Sequence, residues 1–108
     1  MRRGDIAIVV HGELGRPRPV VVVQADELGD LTTTVLVCPI SSEVAGGLPV
    51  RPDIEPRAEN GLRLRSQIMT DKLLALPRSH VRQVIGAIDS DTGSRLDVAL
   101  LLVLGLAR

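Results

Sequence analysis

Three short segments of this chain carry side chains able to grip a phosphate and to move protons near it. The first is His11-Gly12-Glu13-Leu14-Gly15-Arg16-Pro17-Arg18-Pro19. An arginine offers a planar donor fork that matches two phosphate oxygens, and the flanking prolines limit the freedom of the backbone that carries Arg16 and Arg18. Arg16 lies two residues before Arg18, so in extended chain both point to one side. It either adds a phosphate contact there or stands exposed and idle. His11 is of a type suited to acid-base work, although its position favours an exposed or structural histidine. The second segment, Pro39-Ile40-Ser41-Ser42, offers two hydroxyls. The third, Gln67-Ile68-Met69-Thr70-Asp71-Lys72, puts Gln67, Met69 and Asp71 on one face if it is extended. Asp71 then serves either as a proton acceptor or as the partner of Lys72 or a nearby arginine.

Composition limits what else the chain can do. Its 108 residues suit one domain, 1–108, with one modest core. Hydrophobic residues make up 44% of it and aromatic residues 0%, so Leu, Val and Ile must fill that core. No aromatic ring is available to stack on a nucleic-acid base. The formal net charge is +0, so any nucleic-acid site must be a local patch. Cys38, the one cysteine, reads as a small buried strand residue and allows no internal disulfide. His11 and His80 are isolated from each other, and no zinc spacing or glycine-rich phosphate loop is present. No metal and no cofactor are expected. The start of the chain lacks the apolar run of a secretory signal. Val98–Ala107 is shorter than the roughly 18 residues that span a bilayer. A cytoplasmic location away from the membrane is expected.

The elements that would position these segments are mostly strands. Asp5–Val10 alternates, with Ile6, Ile8 and Val10 on one side. Val20–Gln24 is a β-branched run, and Thr32–Ile40 is a third strand. Leu48–Ile54, with prolines at 49 and 52, suits an edge strand. Leu62–Leu76 reads as one long bent strand or two short ones. Pro77–His80 reads as a short helical turn with His80 exposed, and Val81–Ile88 as a last strand centred on Val84 and Ile85. Asp89-Ser90-Asp91-Thr92 supplies capping side chains. From Ser94 to Leu104, Leu96, Ala99, Leu100, Val103 and Leu104 recur at helical spacing, with Gly105 as the terminal cap. Leu101 and Leu102 leave this helix apolar on more than one side, which predicts a homodimer covering the surplus. The fold class is mainly β with α: a small SH3-like β-barrel, a strongly curved antiparallel sheet with a C-terminal helix.

In this order and spacing, Glu13, Arg18-Pro19, Pro39-Ile40-Ser41-Ser42 and Gln67–Lys72 resemble the MazF/PemK-type toxins of type II toxin-antitoxin systems. The resemblance continues through Glu59-Asn60-Gly61-Leu62, Pro77-Arg78, Val84-Ile85-Gly86 and Leu104-Gly105-Leu106. It implies a metal-independent endoribonuclease that cuts single-stranded RNA, chiefly mRNA, to 2′,3′-cyclic phosphate and 5′-OH ends. It implies catalytic roles for Arg18, Ser41 and Asp71 or Glu13, with Arg18 stabilising the phosphorane. Asp71 and Glu13 compete as base. Arg16, Ser42, Gln67 and His11 are the candidate RNA contacts. Two departures stand out. Ser41 replaces the usual Thr, keeping the hydroxyl and losing the methyl that limits its rotation. Met69 stands where some relatives place an arginine.

The resemblance also implies a cognate antitoxin, an acidic peptide received by basic residues such as Arg16, Arg18, Arg63 and Arg65. Two other readings share the fold. One is a CcdB-like gyrase-binding toxin, whose activity relies on a Trp-Gly-Ile-like tip, whereas this chain has no Trp. The other is a catalytically inactive barrel that retains only antitoxin binding.

Overall fold

The computed structural model describes residues 1–10, 15–44 and 46–107. Among these residues, seven strands and one α-helix follow in order: β1 (Asp5–Val10), β2 (Pro17–Val22), β3 (Thr34–Ser41), β4 (Asp53–Ile54), β5 (Ser66–Ile68), β6 (Leu74–Pro77), β7 (Val81–Ala87) and α1 (Ser90–Val103). Their antiparallel sheet has the order β4-β5-β3-β2-β1-β7, with β6 also on β3. Strand β3 is the hub. Its first half, Thr34–Val37, pairs with β6, and its end, Ile40 and Ser41, pairs with Ile68 and Gln67 of β5. A single strand thus joins two directions of the sheet, which curls it into the expected barrel-like form.

Alternation of side chains builds a core on each face of this sheet. Ile6, Val21, Cys38, Ile40, Ile54, Ile68 and Leu96 form the cluster beneath α1. Ala7, Val9, Val20, Val22, Val35, Val37 and Leu76 form the other. Each fully buried aliphatic side chain contributes roughly 1.5–3 kcal/mol, so a core without aromatic rings suffices. Asp89 caps α1, its Oδ1 accepting from the Thr92 amide at 2.8 Å. That hydrogen bond holds the Asp89 carboxyl below its usual pKa.

Several elements differ from the sequence reading, each for a local reason. The edge strand expected over Leu48–Ile54 shrinks to Asp53–Ile54. Pro49 and Pro52 have no amide to give a ladder, and Leu48–Arg51 closes a turn instead, with the Arg51 amide on the Leu48 carbonyl at 3.2 Å. Of the two readings of Leu62–Leu76, that of two short strands holds, as β5 and β6, and the departure is the 3-10 turn Thr70–Lys72 between them. That turn ends the alternation that would have put Asp71 in line with Gln67. Val84 is exposed and only Ile85 packs against the core. His80 is half-buried. The helix starts at Ser90, with Asp89, one of the expected capping residues, as its N-cap.

One close approach fixes the turn that leads into Leu62 and Arg63, which line the groove described below. A Cβ at Gly86 would lie 2.4 Å from the Glu59 carbonyl oxygen, so β7 must carry glycine where the 57–61 turn crosses it. Buried Asn60 organises that turn, accepting from the Arg57 and Leu62 amides at 3.1 and 3.0 Å and donating to the Glu55 carbonyl at 2.8 Å.

Candidate active site

The ends of β2 and β3 bring Arg18 and Ser41 to one groove. Val20 pairs with Pro39 in the β2–β3 ladder, so the residues before Val20 lie beside those after Pro39. The groove has a volume of about 530 Å³, and Arg18, Ser41, Ser42, Arg63, Ser66 and Met69 line it. Pro19, Pro39, Ile40, Leu62 and Leu64 make its apolar surface. A second arm of about 410 Å³ shares Ser41, Glu43 and Met69 and continues to Arg51 and Lys72.

Ser41 is held although it lacks the methyl of threonine. Its Oγ accepts from the Glu43 amide at 3.1 Å, which fixes the oxygen and leaves the hydroxyl proton to donate. Arg18 is exposed, and among the described residues neither it nor Arg63 has an ion-pair partner. Two unneutralised guanidinium groups facing an open groove beside a fixed hydroxyl suit a phosphodiester.

The remaining sequence candidates are distributed differently. Arg16 is exposed just before β2 and does not line the groove. Gln67 is buried beside Ser41 in the ladder, and its amide donates to Asp53 at 3.2 Å. Asp71 lines neither arm, and both of its oxygens accept from Arg51, each at 2.9 Å. The Arg51 guanidinium holds the Asp71 carboxyl below the usual carboxylate range. Arg65, expected among the basic receivers, pairs with Asp53 and Glu55 at 3.3 and 3.4 Å and points away from the groove lining. His11 and Glu13 lie outside the described residues. Arg51 and Ser66 escaped the sequence reading. Arg51 meets Asp71 only because the chain folds back, and no local pattern announces it.

Another recess, of about 430 Å³, lies where the 53–60 segment meets the start of α1. Five carboxylates there (Asp53, Glu55, Glu59, Asp89, Asp91) face two arginines, Arg57 and Arg95. Such a surface repels phosphate. The apolar-floored groove with free arginines is the candidate site. Among the described residues, no group of three His, Cys, Asp or Glu is placed to hold a metal ion. No helix among them is long and apolar enough to cross a membrane.

Comparison with known proteins gives a consistent picture. A family model described as PemK-like, MazF-like toxin of type II toxin-antitoxin system matches residues 2–104. A probable endoribonuclease MazF of Mycolicibacterium smegmatis is 38% identical over 109 residues, spanning 99% of each chain. The Mycobacterium tuberculosis toxin MazF-mt6 superposes with a TM-score of 0.82 at 25% identity, over 96% of this chain and 99% of that one. An endoribonuclease in complex with its cognate antitoxin, from Mycobacterial species, superposes with a TM-score of 0.83 at 18% identity, over 100% of this chain and 98% of that one.

Proposed function

Because this chain belongs to the PemK-like, MazF-like toxin family of type II toxin-antitoxin systems, we propose that it is an endoribonuclease cutting single-stranded RNA, mRNA above all, in the groove between Arg18 and Ser41. One observation carries the reading. Residues far apart in sequence, a free arginine and an oriented serine hydroxyl, line the same groove.

RNA brings its own nucleophile, the 2′-OH. It attacks the adjacent phosphorus while a base removes its proton. Arg18 stabilises the phosphorane through its donor fork and supplies the proton for the leaving 5′-oxygen. Ser41 donates to a phosphoryl oxygen. Arg63 neutralises charge across the groove. The base is Glu13 or Asp71. The products are a 2′,3′-cyclic phosphate and a 5′-OH end, made with side chains alone. With no aromatic platform, base choice rests on stacking against arginine and on backbone hydrogen bonds around Ser42 and the 57–61 turn.

Two partnerships complete the proposal. A cognate antitoxin places an acidic segment over Arg18 and Arg63, so inhibitor and substrate compete for one surface. The chain is a cytoplasmic homodimer that covers the apolar side of α1, where Val98, Leu101 and Leu102 are 57%, 45% and 49% exposed. Light scattering should give twice the chain mass at micromolar concentration, and a monomer would count against this part.

The test of activity is incubation of purified protein with long single-stranded RNA in excess EDTA. Discrete fragments with 5′-OH ends are expected, reduced about 100- to 10,000-fold by Arg18→Ala. Intact RNA after exposure to folded wild-type protein would support the inactive, antitoxin-binding barrel instead.

A further inference from the structure

Arg51 lines the second arm of the groove, and three neighbouring interactions fasten residues 50–52 to the end of β5 and the turn after it. The Ile68 amide donates to the Pro52 carbonyl at 3.0 Å. The Thr70 hydroxyl donates to the Val50 carbonyl. Between them Arg51 forks onto Asp71, Nε to Oδ1 and Nη2 to Oδ2, both at 2.9 Å. The Arg51 side chain is 13% exposed and that of Asp71 33%. The Met69 amide donates in turn to the Pro39 carbonyl at 2.8 Å, two residues before Ser41. A continuous set of fastenings thus runs from Arg51 to the strand end that carries the hydroxyl.

A base must reach the proton it removes. Asp71 lines neither arm of the groove, whereas Arg51 lines the second. A two-pronged pair of this kind fixes direction as well as charge. Resting on the ribonuclease reading above, we infer that Arg51 is a positioning residue for RNA cleavage and that Asp71 is its anchor, holding the 50–52 wall against the Thr70–Lys72 turn instead of accepting the 2′-OH proton. Asp71 and Arg51 act as one unit, so losing either partner releases the same wall.

The experiment is a mutant cycle on the full chain, read by the pH profile of kcat/KM on a single-stranded RNA and by thermal melting. Arg51→Ala and Asp71→Ala should lower kcat/KM by similar factors, on the order of tenfold, and the double variant should lose no more than either alone. Asp71→Asn keeps an acceptor for Arg51 and should retain the ascending acid limb of the profile. Arg51→Lys, which keeps charge and loses the fork, should resemble Arg51→Ala. The inference is overturned if Asp71→Asn removes the acid limb and costs about 100-fold or more while Arg51→Ala cuts normally. It is also overturned if the two losses multiply. Melting separates this result from failure of the activity itself. If folded wild-type protein cuts no RNA, the ribonuclease reading and the positioning role both fall, while equal, non-additive drops in Tm would still establish the clamp.

Discussion

The arginines of this molecule fall into two populations, and the contrast between them locates the site. Around the 53–60 segment and the helix start, Arg65 and Arg95 are committed, while Arg57 stands among carboxylates with no ion pair of its own among the described residues. Arg95 donates to the Asp53 carbonyl at 2.9 Å and pairs with Asp91 at 3.2 Å. Arg65 bridges Asp53 and Glu55. Arg78, on the far side, ties the Thr32 carbonyl to the turn after β6. Arg18 and Arg63, by contrast, face the groove beside Ser41 without an acidic partner among the described residues. Equal numbers of acids and bases give this chain no net charge. Charge is therefore informative only where it is left unpaired. Committed arginines hold loops, and of the uncommitted ones Arg18 and Arg63 line the groove beside Ser41.

Exchanging the two populations by mutation tests that division. The largest effect is expected at Arg18→Ala, which should lower kcat/KM on RNA about 100- to 10,000-fold without moving Tm. Arg95→Ala should do the opposite, lowering Tm while RNA is cut at close to the wild-type rate. Ser41→Ala should cost about 100-fold through loss of one hydroxyl donor, and Ser41→Thr should preserve activity because either hydroxyl can accept from the Glu43 amide. Gly86→Ala should destabilise the fold by about 1–3 kcal/mol, measured by urea denaturation, since the new methyl meets the Glu59 carbonyl.

Smaller effects come from the committed carboxylates and the core thiol. Asp71 and Asp89 both have folded pKa values below the ordinary one. Each thus contributes stability that is present above about pH 4, the unfolded value, and is lost as pH falls through the folded value. Tm should fall on acidification below about pH 4, and the fall should be shallower in Asp89→Asn. A flat Tm from pH 5 to 2 would contradict it. Cys38 is fully buried, and desolvation pushes its thiol up to about 12. Folded protein at pH 8 should resist thiol reagents that modify it in denaturant.

Much of the fold was legible because its signals are local. The β-branched run of β2, the alternation of β1 and the Asp89 cap each need only a few neighbouring residues to read. The site was legible in part, through Arg18, Ser41 and Ser42, whose surroundings follow from one β2–β3 ladder. What could not be read depends on chain reversal. Asp71 lies in a pattern that looks extended until Thr70 turns to the Val50 carbonyl. Arg65 looks as available as Arg63 until β4 brings Asp53 beside it. A long-range partner decides in both cases, and sequence spacing carries no trace of it.

The salt dependence of binding to an uncleavable 2′-O-methyl RNA tests the division most directly. For a single strand, each phosphate contact contributes about 0.7 to the slope of log K against log salt. Arg18→Ala with Arg63→Ala should reduce that slope by about 1.4, while Arg65→Ala with Arg95→Ala should leave it unchanged. Equal slopes for the two double variants, or a loss confined to the Arg65 and Arg95 pair, would contradict the assignment of the groove as the RNA site.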